Sequence, residues 1–154
     1  MTKFKTKHFG EIEYDEEKVL SFPDAIPGFP DATRFLLMNK DESEDMFFWL
    51  QCLDDGDVAF TLMDVYQVLG DYDPMVDSEE IQALGDISGA PLNIYNIVVI
   101  PEDVKQMRVN LKAPIVINTD TGVGKQVICS NEDYKIRFYI FEEFEKARAA
   151  AAQE

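Results

Sequence analysis

The side chains in this sequence that could do chemistry are carboxylates, one histidine and two cysteines, and none is arranged as a catalytic centre. His8 is the lone histidine and has no Ser, Cys or Asp motif beside it. Zinc needs a closer cluster of imidazoles and thiolates. Cys52 and Cys129 each lie in an apolar stretch without a Cys-x-x-Cys pair, which reads as two buried thiols. Thr119 to Lys125 ends in Gly124-Lys125 like a phosphate-binding loop. Thr119 stands where the first glycine is needed, and Gln126 stands where a hydroxyl would hold magnesium. Asp71, Asp73, Asp77 and Glu79 approach a calcium-loop spacing, but Val76 occupies the glycine position and Gln82 that of the bidentate glutamate. With thirty acids present, chance carboxylate pairs carry no hydrolytic signal. No enzyme, cofactor or metal is expected.

The same carboxylates can work as a surface. Three acidic loops are candidate docking sites for a basic partner: Asp41 to Asp45, Asp54 to Asp57 and Asp71 to Asp77. Asp54, Asp55 and Asp57 are the candidates in the second. In the third, which is the favoured segment, Asp71 and Asp73 flank Tyr72, an aromatic of the kind enriched in interface anchors. Phe29 follows a Pro-Gly pair and is either exposed or a plug in the core. Gly10, Pro27, Gly28 and Pro114 shape the backbone.

These residues must be positioned by short β-runs broken by turns. Phe4 to Phe9 and Ile12 to Tyr14 suggest a hairpin across Gly10. Pro27-Gly28 fits a tight turn, with Pro fixing φ and Gly free to take positive φ. Arg34 to Asn39, Met46 to Leu53 and Val58 to Met63 read as strands, the last two joined at Asp54-Asp55-Gly56-Asp57. Val65 to Leu69 extends the last. A two-turn helix follows, with Asp77 or Ser78 as N-cap, Glu80 completing a capping box and Gly85 at its end. Ile94 to Ile100, Met107 to Leu111, Ile115 to Ile117, Lys125 to Cys129 and Tyr134 to Phe141 complete the strands. Residues 142–154 favour helix, through their alanines and the Glu142–Lys146 pair. The fold class is all-β: a small, partly open β-barrel over residues 1–141, one short helix, and a helical tail at 142–154.

The 154-residue chain is one domain's worth and can bury its own core. Thirty acidic against fourteen basic residues give a net charge of −16. Such a surface repels phosphate backbones and anionic lipids, which argues against nucleic-acid and membrane partners, and it steers basic proteins into contact. The start is polar and no apolar run reaches membrane-spanning length, so a cytoplasmic protein is expected, and the net charge favours a monomer.

Three blocks of residues then resemble the FliW family of bacterial flagellar assembly factors. The first is Phe9-Gly10-Glu11, Val19-Leu20-Ser21-Phe22, Ile26-Pro27-Gly28-Phe29 and Phe35. The second runs from Asn110 through Pro114 to Asn118; the third is Lys125-Gln126-Val127 with Tyr134. Together they span about residues 4 to 137 in order and spacing. Met63-Asp64-Val65-Tyr66 lacks a proline often seen there, and the tail from Phe138 is longer than in compact members. The resemblance implies a regulator without catalytic residues or cofactor. It implies binding to flagellin and to CsrA, the RNA-binding repressor of flagellin translation, so that flagellin level sets flagellin translation. A chaperone serving flagellin alone and an acidic ligand-binding barrel are the competing readings.

Overall fold

The computed structural model describes residues 2–39, 46–76, 78–82 and 92–152. The acidic loop 41–45, Asp77 and Gly85 lie outside them. The chain opens with a hairpin of β1 (Thr2–Thr6) and β2 (Gly10–Tyr14). Gly10 takes φ +67°, and the Thr6 hydroxyl accepts from Phe9 N–H and donates to Gly10 C=O across the turn. The remaining strands form one sheet: β3 (Leu20–Ser21), β4 (Arg34–Met38), β5 (Phe47–Cys52), β6 (Ala59–Met63), β7 (Leu92–Val99), β8 (Arg108–Val109), β9 (Ile115–Asn118), β10 (Val123–Gln126) and β11 (Phe138–Tyr139).

The sheet curls on itself. Its order is β11-β8-β7-β6-β5-β4-β3-β10-β9, and β9 pairs again with β7, closing a ring of seven strands. Among the described residues every pairing is antiparallel except β3–β10, which is parallel and rests on one register pair, Ser21 with Val123. That seam is the thin place in an otherwise closed barrel. β8 and β11 continue the sheet beyond the ring.

Alternation along the strands sorts two cores. Inward residues Phe22, Phe35, Leu50, Leu62, Ile115 and Ile117 fill the barrel, each at most 2% exposed. The opposite face of β6 and β7 contributes Met63 and Val98 to a second core with Val109 of β8 and with Val65, Tyr72, Met107, Leu111 and Ile140. The C-terminal helix α2 (Phe141–Ala152) covers that core with Phe141 and Phe144, the latter 6.0 Å from the ring of Phe47. Glu142 and Glu143 lie in its first turn, where acidic side chains suit the positive end of the helix dipole. The short helix α1 (Ser78–Gln82) lies where the sequence suggested a helix.

Two expectations are corrected. Val65 to Leu69 does not prolong β6; Val65–Gln67 is a 3-10 turn, with Leu69 N–H donating to Val65 C=O. Burying Val65 and bringing the chain back to Tyr72 outweighs the β-propensity of two valines and a tyrosine. The run from Tyr134 forms a ladder only at Phe138–Tyr139, because Ile140 turns into the second core and α2 starts at Phe141.

Candidate functional site

β5 and β6 are joined by the 54–57 turn, and the turn through Gly28 lies beside it. Phe29, Pro30, Asp31, Ala32, Asp54, Asp55 and Val58 line a hollow of about 350 Å³ there. Gly28 takes φ +91° and Phe29 N–H donates to Ile26 C=O (2.8 Å), the tight turn expected at Pro27-Gly28. The turn lifts Phe29 to 40% exposure, with its ring edge-on to Phe60 at 5.2 Å. Phe29 is therefore partly open to solvent while still rooted on the core.

The three acids of this turn are not equivalent. Asp54 Oδ2 accepts from Thr33 N–H and Arg34 N–H, both at 2.9 Å, so it pins the start of β4. Asp55 Oδ1 accepts from Asp57 N–H at 3.0 Å and closes the turn, and the Asp57 side chain is exposed. Cys52, on the floor, has its thiol pushed up by burial, which keeps it protonated and non-nucleophilic. Gly56 fits because the Lys5 backbone lies where its Cβ would be, and its C=O accepts from Lys7 N–H; the hairpin β1–β2 rests on this turn.

The third acidic segment is arranged otherwise. Tyr72 is 4% exposed and cannot be a surface anchor. Its hydroxyl donates to Leu111 C=O (2.7 Å) and accepts from Asn96 Nδ2 (3.0 Å). Its ring packs on Tyr134 and Tyr66 at 4.7 and 5.5 Å. Burial pushes the phenol far above its usual range. A tyrosine with a polar partner for its hydroxyl gains more from the core than from solvent, even between two aspartates. Asp71 and Asp73 stay exposed on either side, and Asp73 N–H donates to the Tyr134 hydroxyl (2.8 Å).

The motif residues of the second block are backbone devices. β8 and β9 lie in succession along one edge of β7, separated by Asn110 to Pro114. Asn110 Oδ1 accepts from Lys112 N–H and Ala113 N–H and shapes that interruption, and Pro114 C=O accepts from Val127 N–H. Asn118 Oδ1 accepts from Asp120 N–H and Thr121 N–H and shapes the turn into β10. Within β10, Gly124 meets the Phe22 ring where a Cβ would stand at 2.5 Å, so this glycine makes room in the barrel. The sequence did not show Asp31 joining the hollow; its signal was the Pro-Asp pair directly after Phe29. Nor did it show Lys125 pairing with Asp24 and Glu80. His8 is exposed in the first hairpin turn. Among the described residues no three metal-binding side chains gather, and no helix is long and apolar enough to cross a membrane.

The FliW protein family model matches residues 3–140. The chain belongs to the FliW family. A flagellar assembly factor FliW of Thermoanaerobacter pseudethanolicus is 43% identical over 97% of this chain and 99% of its own. That of Alkaliphilus metalliredigens is 39% identical over 97% and 92%. The crystal structure of a flagellar assembly factor FliW aligns with a TM-score of 0.82 and 29% identity, covering 90% of this chain and 96% of that one. The ring of seven strands and its C-terminal helix are thus a FliW fold.

Proposed function

We propose that this chain is a cytoplasmic, non-catalytic antagonist that binds flagellin and the translational regulator CsrA, coupling flagellin level to flagellin translation. The observation that carries the CsrA half of this reading is the hollow where a partly exposed Phe29 lies beside Asp31 and Asp55. An aromatic anchor ringed by carboxylates suits an RNA-binding protein, which must present cations to phosphates. The net charge of −16 speeds the encounter and repels RNA from the complex. Asp57 extends the acidic rim, and Asp71 with Asp73 forms the second candidate surface.

The test is calorimetric titration with CsrA from the same organism at two salt concentrations, one giving a Debye length near 30 Å and one near 8 Å. Tight binding at low salt that weakens at high salt supports the reading. Asp31→Lys with Asp57→Lys should weaken CsrA binding more than Asp71→Lys with Asp73→Lys, each variant checked as folded by far-UV circular dichroism. No CsrA binding at either salt, with flagellin still bound, would leave a chaperone serving flagellin alone.

A further inference from the structure

The sheet has a second exposed face of different character. Register places Val99, Arg108 and Tyr139 in one row across β7, β8 and β11. Their neighbours Val98 and Val109 point the other way into the second core, at 3% and 1% exposure. Val99 and Tyr139 are 44% and 56% exposed, and Ile100 and Val104 beside them are 47% and 44%. Between the 3-10 turn Val104–Gln106 and the first turn of α2, Lys105, Tyr139, Phe141 and Glu142 line a hollow of about 490 Å³.

This face is also where cations stand apart from the acids. Arg137 directly precedes β11 and is exposed. Among the described residues none of Lys105, Arg108 and Arg137 takes part in an ion pair. Nearby, Glu142 sits on the rim, Glu102 is exposed, and Asp103 is turned onto Lys105 N–H. In a chain of charge −16, a row of unpaired cations over exposed apolar residues is the inverse of the Phe29 hollow.

β11 is moreover the end of the sheet. Ile140 N–H donates to Met107 C=O (3.1 Å), so by antiparallel alternation the N–H and C=O of Tyr139 face away from β8. An edge of this kind accepts an added strand, with the ladder giving affinity and the alternate side chains giving selectivity.

We propose that this edge docks an extended segment of a partner protein in which acidic and apolar residues alternate. Alternation puts its carboxylates on the face of Tyr139, where they meet Arg108 and Lys105, and its apolar residues on the opposite face beside Phe138. The site is separate from the acidic hollow, so a basic partner and an acidic one can be held together.

The test uses the full chain and a short synthetic peptide of alternating Glu and Val, titrated by fluorescence anisotropy. Binding with a Kd below ~1 mM is expected, weakened about tenfold or more by Arg108→Glu or by Lys105→Glu, each checked for an unchanged melt. A peptide N-methylated on its ladder-forming amides should lose binding. The proposal falls if a Lys–Val peptide binds as tightly, if the Glu–Val peptide does not bind below ~1 mM, or if both variants fold and bind it unchanged. Concentration-dependent dimerisation in sedimentation, abolished by the same variants, would also overturn it, because the occupant would be a second copy.

Discussion

Replacing Tyr72 by Phe separates a core role from a surface one. The change removes one oxygen that bridges two buried groups, Leu111 C=O at 2.7 Å and Asn96 Nδ2 at 3.0 Å. Asn96 keeps a second acceptor, Asn110 C=O at 2.8 Å, and so loses only one bond. The Leu111 carbonyl keeps only the weak thiol contact of Cys129 at 3.9 Å. A lost hydrogen bond costs roughly 1 kcal/mol and a stranded buried carbonyl roughly 1–3 kcal/mol, so the total is about 3 kcal/mol. With a urea slope of about 2 kcal/mol/M, the unfolding midpoint should fall by about 1.5 M. Equilibrium urea unfolding followed by far-UV circular dichroism measures it, with Tyr134→Phe as the comparison, since that hydroxyl accepts from a single exposed-segment amide. CsrA affinity of the folded variant should not change. A loss under ~1 kcal/mol, or a variant of normal stability that binds CsrA poorly, would refute the assignment of Tyr72 to the core.

Three further outcomes follow from the geometry. Gly124→Ala drives a methyl to about 2.5 Å from the Phe22 ring and should cost ~1–3 kcal/mol by thermal melt, partly recovered by adding Phe22→Leu. Asp54→Ala strands two backbone N–H groups and should cost about 1–2 kcal/mol, whereas Asp57→Ala should leave the melting temperature unchanged; equal effects would contradict their division of labour. Because the folded state raises the Tyr72 pKa, the stability it contributes is complete below the unfolded value near pH ~10 and is lost as pH rises beyond it. The stability gap between the native chain and Tyr72→Phe should therefore narrow above about pH 10 in a urea series, and a widening gap would reverse the sign of the argument.

Local chemistry announced most of the strands and turns. Positive φ at Gly10 and Gly28, the Pro27-Gly28 turn and the hairpin at Asp54 to Asp57 are visible in a few adjacent letters. Ring closure is not, because β7 meets β9 and β3 meets β10 through contacts between distant segments that no local period encodes. Tyr72 misled for a related reason. Its two aspartate neighbours describe a surface loop, while the partners that bury it, Asn96 and Leu111, come from strands far along the chain. Asp54 and Asp57 look alike in sequence and differ only in whether a backbone amide is there to be held. The exposed row Val99, Arg108 and Tyr139 draws one residue from each of three strands, so only the register reveals it.

The parallel pair between Ser21 and Val123 sets a timetable for making the protein. Its two halves lie about a hundred positions apart, and contacts so remote are reached late and slowly. During synthesis at ~5–20 residues per second, β3 to β6 are assembled seconds before β9 and β10 emerge to complete the ring. Until then, the apolar interior lined by Phe22, Phe35 and Leu50 lacks the wall supplied by Ile115 and Ile117. The β3–β10 pair can therefore form only after residue 123 has left the ribosome, so a nascent chain released before that point carries an open, aggregation-prone half-barrel.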